Sequence, residues 1–229
     1  LKTFGAKVHK VKYEDIYFRD DQVYLGHKKI SFPKFIGDAY LARIKLWDSG
    51  FYKTPKIHWN RELGKGSPFY YFSYGAAISE TTLDTLTGEY VFDRVDISHD
   101  VGESINSTID IGQVEGGFIQ GLGWLTTEEL WWDEEGQLKT HAPSSYKIPL
   151  ASDRPKVFNI SLASWSKNKE RTVRRSKAVG EPPLMLAVSA HEALVMAVAA
   201  TSEYQGFPNL DSPATPERVL AQVESLREK

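Results

Sequence analysis

Apolar residues alternate with polar ones in several short runs and recur at helical spacing in others, and the two periods take turns along the chain. In the first thirty residues KVHKVKY, DIYFRD and QVYLG read as short strands, the last two divided by the acidic turn Asp20-Asp21, which predicts a small meander. Ser31 stands at an expected N-cap, with Pro33 in the first turn, before the amphipathic run FPKFIGDAYLARIKLW; this predicts a helix ending near Asp48-Ser49-Gly50. GFYKTPKIHWNRELGKGSP is interrupted by prolines and glycines and reads as a loop with no core of its own. From Phe69 the strand pattern returns: PFYYFSYGAAISETTLDTL and EYVFDRVDISHDVG, either side of Thr87-Gly88, predict a hairpin.

In DIGQVEGGFIQGLGWLTTEELWW, Gly112, Gly116, Gly117 and Gly121 recur among apolar residues. Each glycine costs a helix about 1 kcal/mol against alanine, so several together imply that something approaches the backbone closely. Two occupants fit: a flat ligand on a glycine-lined surface, held by the amides of Gln113 and Gln120, or another element packed through small residues. A second hairpin is expected around Asp133 to Gly136, followed by SYKIPL, a strand VFNISLAS, the basic stretch SKNKERTVRRSK and an apolar run from Leu184 to Ala200. The tail LDSPATPERVLAQVESLREK carries Thr215 as N-cap and Pro216 at the first helical position. Together these predict an α+β fold, with antiparallel strands and hairpins packed in layers with helices, ending in a buried apolar helix and a C-terminal amphipathic helix. No repeat or linker marks a boundary, so residues 1–229 read as one domain or two lobes without a clear division.

Composition narrows the partners. Among 229 residues, 28 basic side chains face 30 acidic ones for a net charge of -2, which argues against a broad nucleic-acid or anionic-membrane surface. There is no cysteine, so this chain supplies no disulfide, thiolate zinc site or iron-sulfur cluster, and its six histidines form no HxH or HExxH, so no metal site is predicted. The apolar run from Leu184 to Ala200 reaches only ~25 Å as a helix, short for a bilayer and ordinary for a buried element. The expectation is a cytoplasmic protein with no membrane or nucleic-acid partner. The start at Leu1 suggests a piece of a longer polypeptide.

The candidate for chemistry is Glu181, in SKAVGEPPL, where Pro182 and Pro183 stiffen the entry to the apolar helix. A carboxylate there caps open backbone amides or, held rigidly near the interior, serves as a general base.

The motifs DIGQVEGGFIQGLG, EEL, PSSYKIP, SKAVGEPPL and LDSPATPE occur in that order. With GFYKTP, PFYYFSYGAAISE and DVGESIN before and among them, they resemble the C-terminal molybdenum-cofactor-binding portion of the xanthine oxidase and aldehyde oxidase family, its xanthine dehydrogenase branch in particular. The resemblance runs from about Gly50 to Glu217. It implies that Glu181 is the active-site glutamate, a general base in the oxidative hydroxylation of a purine such as xanthine or hypoxanthine. It also implies that Gln113, with Gly112 beside it, contacts a molybdenum-molybdopterin cofactor. Electrons would leave through iron-sulfur clusters and FAD to NAD, all carried on other domains or subunits. The family's MGQG cofactor loop and its substrate-orienting arginine, glutamate and phenylalanine are absent. The chain is therefore expected to hold part of a site, to bind no cofactor and be inactive alone, and to need two partners: the remainder of the molybdenum-binding chain and the iron-sulfur/FAD portion. The same sequence also suits a non-catalytic assembly module of such a complex. A hydrolase built on two carboxylates lacks a second acid at a definable distance from Glu181.

Overall fold

The runs DIYFRD and QVYLG pair as expected. β1 (Ile16–Arg19) and β2 (Gln22–Leu25) are antiparallel, joined through Asp20 and Asp21 in left-handed backbone (φ 50° and 53°). A third strand, β3 (Lys28–Ser31), completes the meander. KVHKVKY is not a strand, however: Lys2–His9 form a helix, α1, which ends where Lys10 turns left-handed. Its local alternation loses to packing that begins earlier in the chain. Phe4 lies against the Phe35 ring, with centroids 5.5 Å apart, and Gly5 lets the helix settle on Ile16, Leu25 and Phe35. The helix after Ser31, α2, spans only Phe32–Leu41, and Arg43 (φ 57°) ends its continuation well before Asp48. Ser31 occupies the N-cap position without a side-chain cap bond. Ile16, Val23, Leu25, Phe35 and Ala39 form the buried core of this unit, Leu1–Lys53.

The structure is a computed structural model describing residues 1–227, and its second compact unit begins at Thr54. The stretch read as loop contains a small exposed hairpin, β4 (His58–Asn60) and β5 (Lys65–Ser67). The long hairpin forms from β6 (Gly75–Leu83) and β7 (Tyr90–His99), but Phe69–Tyr74 lie outside it. Val95, Ile97 and His99 alternate inward. The register shifts between Glu80 and Thr81, where Arg94 and then Phe92 are the partners; the intervening Asp93 is left over, so the inward parity passes to Phe92. β8 (Val157–Leu162) adds to β7 in parallel, a direction the sequence pattern does not foretell. Around Asp133 to Gly136 a tight turn is closed by one bridge, Trp132 with Leu138.

The glycine-rich run is a 20-residue helix, α3 (Ser107–Thr126), whose Val114, Phe118 and Leu122 enter the core. The apolar run divides in two: a 3-10 helix, Pro182–Ala187, and then α4 (Val188–Ala200). Ala190, Leu194 and Val198 are buried, while Val188 and Met196 are each 49% exposed, so the helix is core on one side only. α5 (Pro216–Arg227) contributes Val219, Val223 and Leu226 to the same core. The architecture is α+β, as expected from the alternating periods.

Candidate functional site

Two elements bring the candidate residues together. Asn106 caps α3, its side-chain oxygen accepting from the Ile109 N–H at 3.3 Å, and the first turns of that helix present Gly112 and Gln113 to solvent. The second element is the 3-10 helix Pro182–Ala187, entered from Glu181. Glycine permits their contact. A Cβ on Gly117 would stand 3.1 Å from the Pro183 Cβ, and one on Gly121 only 2.4 Å from the Leu184 carbonyl oxygen. Protein packing thus accounts for Gly117 and Gly121. It does not account for Gly112 and Gly116, where an added Cβ would meet nothing within 4 Å.

Across this contact the Gln113 Oε1 comes within 3.5 Å of where a Cβ on Gly180 would be, so the amide lies against the neighbour of Glu181. Glu181 itself is exposed and its side chain makes no cap bond; only its carbonyl acts, accepting from the Leu184 N–H at 3.0 Å. The capping role therefore fails, and so does a position near the interior. The backbone explains why: Pro183 has no N–H to offer a capping side chain, and the next N–H, that of Leu184, is already taken by the Glu181 carbonyl. Neither the Glu181 carboxylate nor the Gln113 amide has a hydrogen-bond partner among the described residues.

What holds Glu181 in place is the backbone before it. The Lys177 N–H donates to the Val101 carbonyl at 2.8 Å, and the Glu103 N–H to the Arg175 carbonyl at 3.1 Å. Gly102, at φ 65°, passes so near that strand that a Cβ would lie 2.4 Å from the Arg175 oxygen. On the other side the Ala178 N–H donates to the Tyr71 Oη at 3.0 Å, and the Ser73 Oγ donates to the Ala178 carbonyl at 3.1 Å. Asp100 is fully buried; it accepts from the Gly102 N–H at 2.8 Å, from the Ser166 Oγ at 2.7 Å and from the Lys177 ammonium. Burial would raise the Asp100 pKa, but the donors Lys177, Ser166 and Gly102 outweigh it and hold the carboxyl below the usual range. Beside it, His99 is 1% exposed with both ring nitrogens unpartnered; burial pushes its pKa down against the opposing pull of Asp100.

Asp100, Lys177, Tyr71 and Ser73 all lie within the quoted motifs, but none of them had a role of its own in the sequence. The one available sign was the glycine of DVG, which the close approach of the Arg175 carbonyl requires. The basic stretch before Glu181 is held from outside and from within: Glu170 pairs with Lys56 at 2.8 Å, and the Arg175 guanidinium donates to the Asn168 carbonyl at 3.0 Å.

Chemically, an exposed carboxylate can take a proton and an unpartnered primary amide can donate and accept. Among the described residues no group of three or more His, Cys, Asp or Glu side chains is arranged to hold a metal ion. The unpartnered Gln113 amide beside the open Gly112 and Gly116 fits a ligand held by hydrogen bonds against the helix.

A family model described as a molybdopterin cofactor-binding domain matches residues 1–155, a span that includes Gly112 and Gln113 but not Glu181. The xanthine dehydrogenase of Oryza sativa subsp. japonica is 47% identical over 216 residues, covering 89% of this chain and 16% of that protein. The xanthine dehydrogenase/oxidase of Mus musculus is 48% identical over 195 residues, covering 82% of this chain and 14% of its own length. The chain thus spans about one sixth of the first of these relatives and less of the second. Among solved structures, the Cu,Mo-CO dehydrogenase in its carbon monoxide reduced state superposes with a TM-score of 0.63 at 19% identity, over 99% of this chain and 27% of that one. Quinoline 2-oxidoreductase from Pseudomonas putida 86 superposes at 0.59 with 24% identity, over 97% and 27%. At such identities these two likenesses concern the fold alone.

Proposed function

Because this chain belongs to the molybdopterin cofactor-binding domain family, we propose that it is the C-terminal part of a molybdenum hydroxylase of the xanthine dehydrogenase type, acting on a purine such as xanthine. In this reading Gln113 and Gly112 meet the cofactor, and Glu181 is the general base. The observation that carries it is the glycine-mediated packing of α3 on the 3-10 helix, which sets the free amide of Gln113 beside the residue next to the free carboxylate of Glu181. When bound, the molybdenum cofactor supplies the two-electron redox chemistry of the hydroxylation.

The rest falls to this chain's side chains. A Glu181 carboxylate oxygen takes the proton from the hydroxyl nucleophile as it attacks an electron-poor ring carbon beside a nitrogen. The Gln113 amide would hydrogen-bond the cofactor, and Gly112 would let it approach the helix backbone without a side chain in the way. The iron-sulfur, FAD and NAD sites belong to other parts of the polypeptide or to partner subunits, in keeping with a chain that has no cysteine. With one face of a site, this chain alone is expected to be inactive and to purify without stoichiometric molybdenum.

The test is made in the complete enzyme. Glu181→Ala is expected to lower xanthine turnover by about 100-fold or more while molybdenum content stays at the wild-type level. Near-normal turnover would remove the base assignment. Gln113→Ala is expected to lower molybdenum occupancy, measured by metal analysis.

A further inference from the structure

We infer that Asp100 and Lys177 are positioning residues: their buried ion pair fixes the segment bearing Glu181 relative to the helix bearing Gln113. This rests on the reading of Glu181 as base and Gln113 as a cofactor contact. The Lys177 and Asp100 side chains are 5% and 0% exposed, so the pair lies out of water. Two charges withdrawn from water often stabilise a fold no better than two apolar groups of the same size, so stability alone is a weak reason for them. What they do differently from an apolar pair is impose direction, because a carboxylate with defined donors admits one arrangement of its neighbours.

The donors of Asp100 come from three places in the chain. Gly102 belongs to the turn that leads through Asn106 into α3, and so to Gln113. Lys177 lies four residues before Glu181 in the segment that crosses that turn. Ser166 lies in the connection after β8. One buried carboxylate therefore ties both halves of the candidate site to the end of β7. The Lys177 ammonium also sits 5.2 Å from the centre of the Tyr74 ring, and Tyr74 gives its carbonyl to the Asp100 N–H at 2.7 Å. Among the described residues no side-chain hydrogen bond or ion pair fixes Glu181, so its position is inherited from this anchorage.

The experiment compares Asp100→Asn, Lys177→Met and the double variant in the complete enzyme. Each single change leaves a buried charge unpaired and is expected to lower the melting temperature; the double variant removes both charges and is expected to recover it. If the pair positions Glu181, the recovered double variant still loses between about tenfold and 100-fold in kcat, as for a misplaced catalytic group. Its KM for xanthine should stay within about twofold. Independently of turnover, the amides of 178–181 should exchange hydrogen faster in the double variant, while those of the α3 interior do not. A double variant with wild-type kcat and wild-type exchange at 178–181 overturns the proposal. An active Glu181→Ala enzyme would instead remove the role of the base, and the exchange rates would still decide whether Asp100 and Lys177 hold the segment.

Discussion

The packing of α3 on the 3-10 helix makes two alanine substitutions five residues apart act in opposite directions. In an exposed helix interior, replacing glycine by alanine is worth about 1 kcal/mol of stability. Gly116→Ala receives this gain undiminished, because its new Cβ meets nothing within 4 Å. Gly121→Ala carries the same gain against a Cβ 2.4 Å from the Leu184 carbonyl oxygen and 2.8 Å from the Ala187 Cβ. Both are main chain or its first carbon, so neither can rotate away, and the 3-10 helix itself must move. Overpacking of this kind costs about 1–3 kcal/mol, with rigid neighbours toward the upper end, which leaves Gly121→Ala about 1–2 kcal/mol less stable than wild type. For a unit of this size about 1 kcal/mol corresponds to 2–4 °C in melting temperature. Thermal unfolding followed by circular dichroism should therefore move up by about 2–4 °C for Gly116→Ala and down by about 2–8 °C for Gly121→Ala. An unchanged or raised melting temperature for Gly121→Ala would mean that the contact is not as close as described, and the juxtaposition of Gln113 with Glu181 would fall with it.

Two ionisable side chains give further checks. Tyr90 donates to the Ala214 carbonyl at 2.7 Å, and burial, against a smaller opposing contact with Thr126, pushes its pKa up to about 12. Its folded pKa thus exceeds the unfolded value near 10, so its contribution is intact below about pH 10 and is lost as pH rises through about 12. Urea unfolding across that range should show an alkaline decline that is smaller in Tyr90→Phe; equal declines would rule Tyr90 out as a source. His99 titrates the other way. Its pKa is pushed below 6.5 by burial, so the folded state resists protonation and stability falls as pH drops below about 6.5. His99→Leu also removes two buried ring nitrogens without partners and should gain about 1 kcal/mol at neutral pH while flattening the acid slope. An unaltered slope would assign the acid sensitivity elsewhere, with the depressed Asp100 as the next group to examine.

What the sequence foretold depended on how locally it was decided. The β6–β7 hairpin and α5 were legible because their signals, alternation around Thr87-Gly88 and a Thr-Pro helix start, lie within the elements themselves. α1 was misread because a few alternating residues after Phe4 weigh less than the contact of Phe4 and Gly5 with Phe35. The parallel pairing of β8 is decided by its crossover and by what covers the sheet, neither of which is written in VFNISL. In the candidate site, Gln113 and Glu181 were reached through the order of motifs, and the close approach expected from the glycine run is met at 117 and 121 by packing, whereas nothing in this chain lies against 112 and 116. The pairing of Asp100 with Lys177 escaped notice, although both lie in quoted motifs, because ionic partners 77 residues apart leave no periodic trace.

Under the proposed role of Glu181 as a base, its exposure bears on how that work is divided. A general base needs a fixed position and an environment from which water is largely excluded. This chain provides the first: Pro182 and Pro183 stiffen the backbone after Glu181, and hydrogen bonds to Val101, Tyr71 and Ser73 fasten the residues before it. The second is left to whatever lies over the neighbouring face of α3. There Ile109 and Trp124, 60% and 54% exposed, flank the open Gly112 and Gly116 along one stripe of the helix. Large apolar side chains around bare glycine backbone make a poor permanent surface in water and a good seat for a covering layer. The chain spans only 16% and 14% of two relatives, so under the proposed function further polypeptide is expected to supply that cover. On this division of labour, mutations in the cover should alter how far water is kept from the base, whereas mutations at Asp100 or Lys177 should alter how often the base is in place.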